Sequence, residues 1–303
     1  MTKGGELERL REIFARLGPR AGELGDDCAL VPLGGTTLAL SIDCSLEGVH
    51  FRTDWLSFEE IGWRAAGAAL SDLAAEGAEP VGVLVSLGMP GGGEAGSAIM
   101  DGVAAAAQSV GAKVLGGDLT RSEKYVVDVC VLGTAERPVR RAGARAGDGV
   151  WVTGRLGGAA LALAGFRAGK RPGGALGRRY SHPEPRVAAG RWLAAHGATA
   201  MIDISDGLAA DAGHLARASS VGLEIALERL PCWEGVAPLA AAASGEEFEL
   251  LVTLPASFKV HPPPEFELTR IGACFSGAGV RLLEGSTPVA APAGYDHFAA
   301  SSE

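Results

Sequence analysis

Aromatic residues make up only 6% of this 303-residue sequence. No stretch stays apolar for the roughly 20 residues that a membrane-spanning helix requires; the most hydrophobic run, Val81 to Met89, is far too short. The opening segment, Met1 to Leu10, is charged and lacks the apolar core of a secretion signal. Cysteine is sparse: Cys28, Cys44, Cys130, Cys232 and Cys274 never approach C-x-x-C spacing. That removes the common zinc sites and any disulfide framework, and suits small buried side chains in a reducing, cytoplasmic setting. Positive charge is in deficit, with 27 Lys and Arg against 36 Asp and Glu and a net charge of −9. Such a surface repels nucleic-acid phosphate and anionic lipid, so neither is an expected partner. Also missing are G-x-G-x-x-G after a strand, H-E-x-x-H and G-x-S-x-G. The segment GFRAGKR, Gly165 to Arg171, imitates a P-loop but has three residues between its glycines rather than four, and Arg171 where Ser or Thr is needed.

What is present is enough apolar residue, 47%, to build real cores, on a length that fits two domains. Leu7, Leu10, Ile13, Phe14 and Leu17 recur at helical spacing before the stop Gly18-Pro19. Ser57 with Glu60 forms a capping-box pattern that opens a helix to about Glu76, with Gly77 closing it. Strands are expected at 38–43, 81–87, 125–133, 149–153, 201–204, 224–227, 249–254 and 268–273. The stretch 280–290 reads as a hairpin, and 170–181 as a basic loop. A basic, glycine-rich connector, Arg137 to Asp148, marks a division into 1–137 and 138–303. Mixed strands and helices in both halves predict an α+β protein.

The chemistry lies in acids placed at turns and strand ends: Gly25-Asp26-Asp27, Ser41-Ile42-Asp43, Ser71-Asp72, Gly116-Gly117-Asp118, Asp203-Ile204-Ser205-Asp206 and Ser244-Gly245-Glu246-Glu247. Singly, each suits an ordinary turn, helix cap or solvated face. Asp206 could cap a helix, Gly116-Gly117-Asp118 could turn between strands, and His50 could be an ordinary histidine. Ser71-Asp72 fits least well, because it interrupts the apolar helix pattern of 65–75, where an unpaired carboxylate is costly. Hard oxygen donors gathered with little His or Cys suit Mg²⁺, which takes the rest of its shell from water and substrate phosphate. Phosphoryl transfer needs such positioning and charge neutralisation above all.

The ordered set GDDCAL, SIDCSLEGVHF, ALSDLAAEGAEP, GGDLTRSE, RRAGARAGD, DISDGLAAD and SGEEFEL resembles the motifs of the thiamine-monophosphate kinase family, from about Gly25 to the closing GYDHF. That family shares its two-domain architecture with aminoimidazole-ribotide synthetase, selenophosphate synthetase and a hydrogenase-maturation factor. The resemblance implies transfer of the ATP γ-phosphoryl group to thiamine monophosphate, with no phosphoenzyme. It also implies a homodimer in which the N-terminal sheets pair into a shared barrel, and an active site in the cleft between domains. Carried over by motif, Asp27, Ser41, Ile42, Asp43, Asp72, Asp118, Asp203 and Asp206 would hold several Mg²⁺ ions, Ile42 only through its carbonyl. K⁺ is a further candidate cation. Gly117, Asp118, Arg141 and Ser205 would meet ATP, and His50, Glu247 and Tyr295 would meet thiamine monophosphate.

Three departures bear on the acceptor. Glu247 and Phe248 stand where the family has Asp and Tyr, Tyr295 stands for a Trp, and Ala69 for an Asn. Two alternatives stay open: another ATP-dependent member of the superfamily with a different acceptor, or a non-catalytic nucleotide- or thiamine-phosphate-binding protein. Selenophosphate synthetase would want an early reactive Cys, and none precedes Cys28; the hydrogenase-maturation factor would want a C-terminal Cys, and none follows Cys274.

Overall fold

The computed structural model describes residues 5–298, except 23 and 92. Its N-terminal half contains α1 (Glu6–Leu17), β1 (Ala29–Leu33), β2 (Thr36–Leu46), α2 (Phe58–Ala75), β3 (Glu79–Met89), α3 (Gly93–Ser109), β4 (Lys113–Arg121) and β5 (Val126–Ala135). The strands form one five-stranded sheet in the order β1-β2-β5-β3-β4. The pairings are antiparallel except for parallel β3–β4. Alternation does the sorting: Val127, Val129 and Val131 of β5 and Val83, Val85 and Leu87 of β3 are buried beneath α2 and α3. The opposite face keeps Ile42 and Leu84 exposed, and edge strand β4 is exposed throughout. The sheet is therefore open, with no closed barrel among the described residues of this chain.

Helix α2 starts where the capping box predicts: the Ser57 side chain accepts from Glu60 N–H and the Glu60 carboxylate accepts from Ser57 N–H. It crosses α3 at backbone distance. A Cβ on Gly62 would lie 1.8 Å from the Ile99 carbonyl oxygen, and one on Gly102 would lie 1.9 Å from that of Glu59. Only glycine allows that approach.

The C-terminal half contains β6 (Gly149–Thr153), α4 (Gly158–Arg167), α5 (Gly174–Ser181), α6 (Val187–Ala195), β7 (Ala200–Asp203), α7 (Leu208–Ser219), β8 (Gly222–Ala226), α8 (Pro238–Ala242), β9 (Leu250–Leu254), β10 (Leu268–Phe275), β11 (Gly279–Glu284) and β12 (Thr287–Val289). Its strands make a seven-stranded sheet in the order β12-β11-β8-β10-β6-β9-β7. Leu208, Ala212 and Leu215 of α7 pack on one part of it. Leu193 of α6 packs on another part together with Ala74 and Ala75 of α2, while Ala162, Phe166 and Tyr180 complete the N-terminal core. The result is a two-domain α+β fold in which α2 is packed from both sides.

Local expectations differ from the structure at four places. Gly116, Gly117 and Asp118 lie inside β4 rather than in a turn, because parallel pairing with β3 extends the strand through them. The basic stretch 170–181 contains α5, which anchors Tyr180 in the core. Strand β1 was not anticipated. Asp206 does not cap α7: Gly207 holds the N-cap position, and the Asp211 carboxylate accepts from Ser205, Asp206 and Gly207 N–H, each at 3.1 Å. No described helix is long and apolar enough to cross a membrane.

Candidate active site

Five segments deliver acids and hydroxyls to one cleft of about 800 Å³ between the halves, lined by Asp43, Asp72, Asp203, Ser205 and Asp206, with Asp27 and Ser41 joined to it through Asp72 and Asp203. The turn before β1 supplies Asp27, β2 supplies Ser41 and Asp43, α2 supplies Asp72, the end of β7 supplies Asp203, and the loop into α7 supplies Ser205 and Asp206. Asp27, Asp72 and Asp203 converge: one carboxylate oxygen from each lies within 4.8 Å of the others. Asp203 is 3% exposed and Asp27 8%. The Ser41 hydroxyl donates to Asp72. Arg141 is the cation the structure sets against this group, with Nη2 at 2.6 Å and Nε at 3.2 Å from the Asp27 carboxylate.

One guanidinium does not balance three clustered carboxylates, Asp27 and Asp203 buried and Asp72 half-buried, and the acids show it. Burial first, then the charges of Asp203 and Asp27, push the Asp72 carboxyl well above its ordinary range. Burial and Asp27 push Asp203 up to about 7, opposed by the Ser71 hydroxyl and Arg141. Asp27 is also raised, by burial, although Arg141 opposes the shift. Asp43 and Asp206 are raised by burial and then by Glu246 and Glu6 respectively. All-oxygen donors, close, partly desolvated and short of positive charge, fit a hard divalent cation such as Mg²⁺.

The facing wall is of different character. His50 lines it, its Nδ1 accepting from Leu46 N–H at 3.0 Å and its ring 5.1 Å from that of His297. Burial and His297 hold the His50 imidazole below its ordinary value. Tyr295 stands at the rim, 57% exposed, edge-on to His297 at 4.8 Å. Arg64, 4% exposed, stacks 4.0 Å over the Tyr180 ring and pairs with Glu246.

Several residues singled out from the sequence fall elsewhere. Ile42, 67% exposed, still borders the cleft, and as an aliphatic residue it could serve a cation only through its backbone carbonyl. Register runs Asp118–Ser86–Asp128–Cys44 across the sheet, which places Asp118 three strands from β2 on the face opposite Asp43. Gly117 and Asp118 therefore do not reach the acid cluster within one chain. Glu247 also lies away from the cleft lining. Fully buried, it accepts from Gly157 N–H at 2.8 Å, Ala159 N–H at 3.1 Å, Arg179 and Ser244. The start of α4 and the Arg179 guanidinium claim its carboxylate. The acid that does line the cleft is Glu246, reached through a left-handed backbone at φ 57°.

Sequence reasoning missed Arg64 and Asp211, and named Glu246 within its motif without separating it from Glu247. Arg64 carried a signal, since it interrupts the apolar face of α2 as Asp72 does. Nothing local distinguishes Glu246 from Glu247.

Residues 25–135 match the model for the N-terminal domain of AIR synthase related proteins, and residues 145–259 match the model for the C-terminal domain. The chain is 39% identical over 252 residues to the thiamine-monophosphate kinase of Halobacterium salinarum, covering 81% of this chain and 84% of that one. It is 35% identical over 291 residues to that of Aquifex aeolicus, covering 91% and 92%. A solved structure described as AaThiL complexed with AMPPCP and TMP superimposes with a TM-score of 0.89 at 33% identity, over 97% of each chain. This chain belongs to the thiamine-monophosphate kinase family.

Proposed function

We propose that this enzyme transfers the γ-phosphoryl group of ATP to the phosphate of thiamine monophosphate, giving thiamine diphosphate and ADP. The observation that carries the proposal is the convergence of Asp27, Asp72 and Asp203 at a cleft whose other wall is aromatic and basic. Support comes from the relative solved with AMPPCP, a stand-in for ATP, and TMP.

The acceptor is a phosphate oxygen that is already ionised, so no general base is needed, and catalysis rests on positioning and charge. Asp27, Asp72 and Asp203 would hold one Mg²⁺, and Ser41, Asp43, Asp206 and the Ile42 carbonyl would serve others. Bound divalent cations supply neutralisation of the triphosphate charge. Ser205 presents its backbone beside them, its loop fixed by Asp211. Arg141 holds Asp27 and would meet ATP phosphate once a cation shares that carboxylate. His50 and Tyr295 would orient the acceptor, with Glu246 and Arg64 between them and the acids in place of Glu247.

The domains divide at 137/138 in this proposal. Two copies pair through their five-stranded sheets, closing a barrel between them. Pairing at exposed edge β4 is what would bring Gly117 and Asp118 of the partner subunit to the Asp43 side of the site. Free thiols at all five cysteines suit a cytoplasmic enzyme. K⁺ is the further cation to test, by replacing it with choline.

The deciding experiment is ³¹P NMR of purified protein with ATP, Mg²⁺ and thiamine monophosphate. Thiamine diphosphate and ADP should appear in equal amounts. ATP binding without thiamine diphosphate formation would refute the acceptor, and normal kcat in Asp43→Asn would refute the metal assignment.

A further inference from the structure

Beside the catalytic acids lies a second cluster that this function does not use. Asp26, Asp27 and Glu76 each bring one carboxylate oxygen within 4.8 Å of the others. Asp27 is common to both clusters; Asp26 and Glu76 extend it away from Asp72 and Asp203. Glu76 ends α2 and is 0% exposed. One of its carboxylate oxygens takes a long hydrogen bond, 3.4 Å, from Cys28 N–H, while Oε2 is buried with no hydrogen-bond partner. Desolvating a carboxylate oxygen next to two further acids is among the costliest arrangements a fold can hold.

The nearby cations do not resolve it. The Arg141 guanidinium is committed to Asp27, and the Arg141 backbone N–H donates to Asp26 Oδ1 at 2.9 Å. Arg140 attracts Glu76 only weakly compared with the repulsion from Asp26 and Asp27. What satisfies all three carboxylates at once is a cation among them, and all-oxygen donors select a hard one.

We propose that Asp26, Asp27 and Glu76 form a second divalent-cation site, for Mg²⁺ or Mn²⁺, which shares the Asp27 carboxylate with the catalytic site. Occupied, it ties the end of α2 to the turn before β1, and so fixes the turn that carries Asp27.

The test is a titration of metal-free protein with Mn²⁺, without nucleotide, reading free Mn²⁺ by electron paramagnetic resonance. Wild type, Glu76→Gln and Asp72→Asn are compared. Glu76→Gln should bind one Mn²⁺ fewer per chain than wild type. Removing a buried, uncompensated charge does not threaten the fold; should the variant nevertheless fail to fold, Asp26→Asn, on a half-buried turn, reads the same loss. Wild-type stoichiometry and affinity in both Glu76→Gln and Asp26→Asn overturns the site. Loss in Asp72→Asn alone overturns it too and leaves the catalytic cation standing. Loss in Glu76→Gln with none in Asp72→Asn supports it and removes the catalytic assignment.

Discussion

Replacing Asp203 with Asn should stabilise the metal-free protein, and by an amount that depends on pH. Asp203 is buried between Asp27 and Asp72, and its carboxyl is pushed from the ordinary 3.8 to about 7. The folded state therefore holds a proton that the unfolded chain has released, at every pH between those values. Stability contributed by this proton is complete below about pH 4 and declines as pH rises to 7. At about 1.4 kcal/mol per pH unit, the whole interval is worth about 4 kcal/mol, an upper figure because Asp27 and Asp72 titrate with it. Asn has nearly the same shape and cannot ionise. In EDTA, urea unfolding should show the two proteins equally stable near pH 4 and Asp203→Asn ahead by about 2–4 kcal/mol near pH 8. Added Mg²⁺ should reverse the order, because it binds the wild-type carboxylate set more tightly than the set lacking Asp203. A difference in stability that is the same at both pH values would refute the electrostatic account of the cluster.

Other consequences follow from packing. Gly102→Ala improves helix propensity by about 1 kcal/mol on paper, yet its Cβ would meet the Glu59 carbonyl at 1.9 Å, so thermal unfolding should show a loss of about 1–3 kcal/mol. Arg179 bridges Glu247 and Glu249 while 8% exposed; Arg179→Met takes the cation from buried Glu247, whereas Glu249 keeps Arg186, and should cost about 3–5 kcal/mol in urea unfolding. Asp211→Ala leaves three backbone N–H groups without their carboxylate. It should cost about 1–3 kcal/mol and raise the Mg²⁺ concentration needed for half-maximal activity, since the loop of Ser205 and Asp206 loses its anchor.

The elements most legible in the sequence were those fixed by neighbours along the chain. The capping box at Ser57 and Glu60, the stop at Gly77 and the hairpin of β11 and β12 depend on a few adjacent residues, and all appear. Strand β4 was hidden because its existence depends on β3, and glycines at 116 and 117 read locally as a turn. The same divide runs through the site. Asp72 announced itself as an acid in an apolar helix, and its convergence with Asp27 and Asp203 came from the ordered motifs, not from spacing. Glu246 and Glu247 are adjacent and chemically alike; only the fold around Arg179 and α4 decides which one faces the cleft.

Helix α2 also bears on how the molecule comes apart. Its Ala65, Ala66, Ala69 and Leu70 share a core with Phe166 and Tyr180, and its Ala74 and Ala75 share another with Val187 and Leu193. The N-terminal core is completed by side chains of the C-terminal half, and one of the two C-terminal cores by side chains of α2, while the other C-terminal core closes from within. A chain with two sheets and two family-model domains should then melt in one transition, not two. Cut at 137/138, each fragment would expose a face made for its missing counterpart, and would aggregate rather than fold.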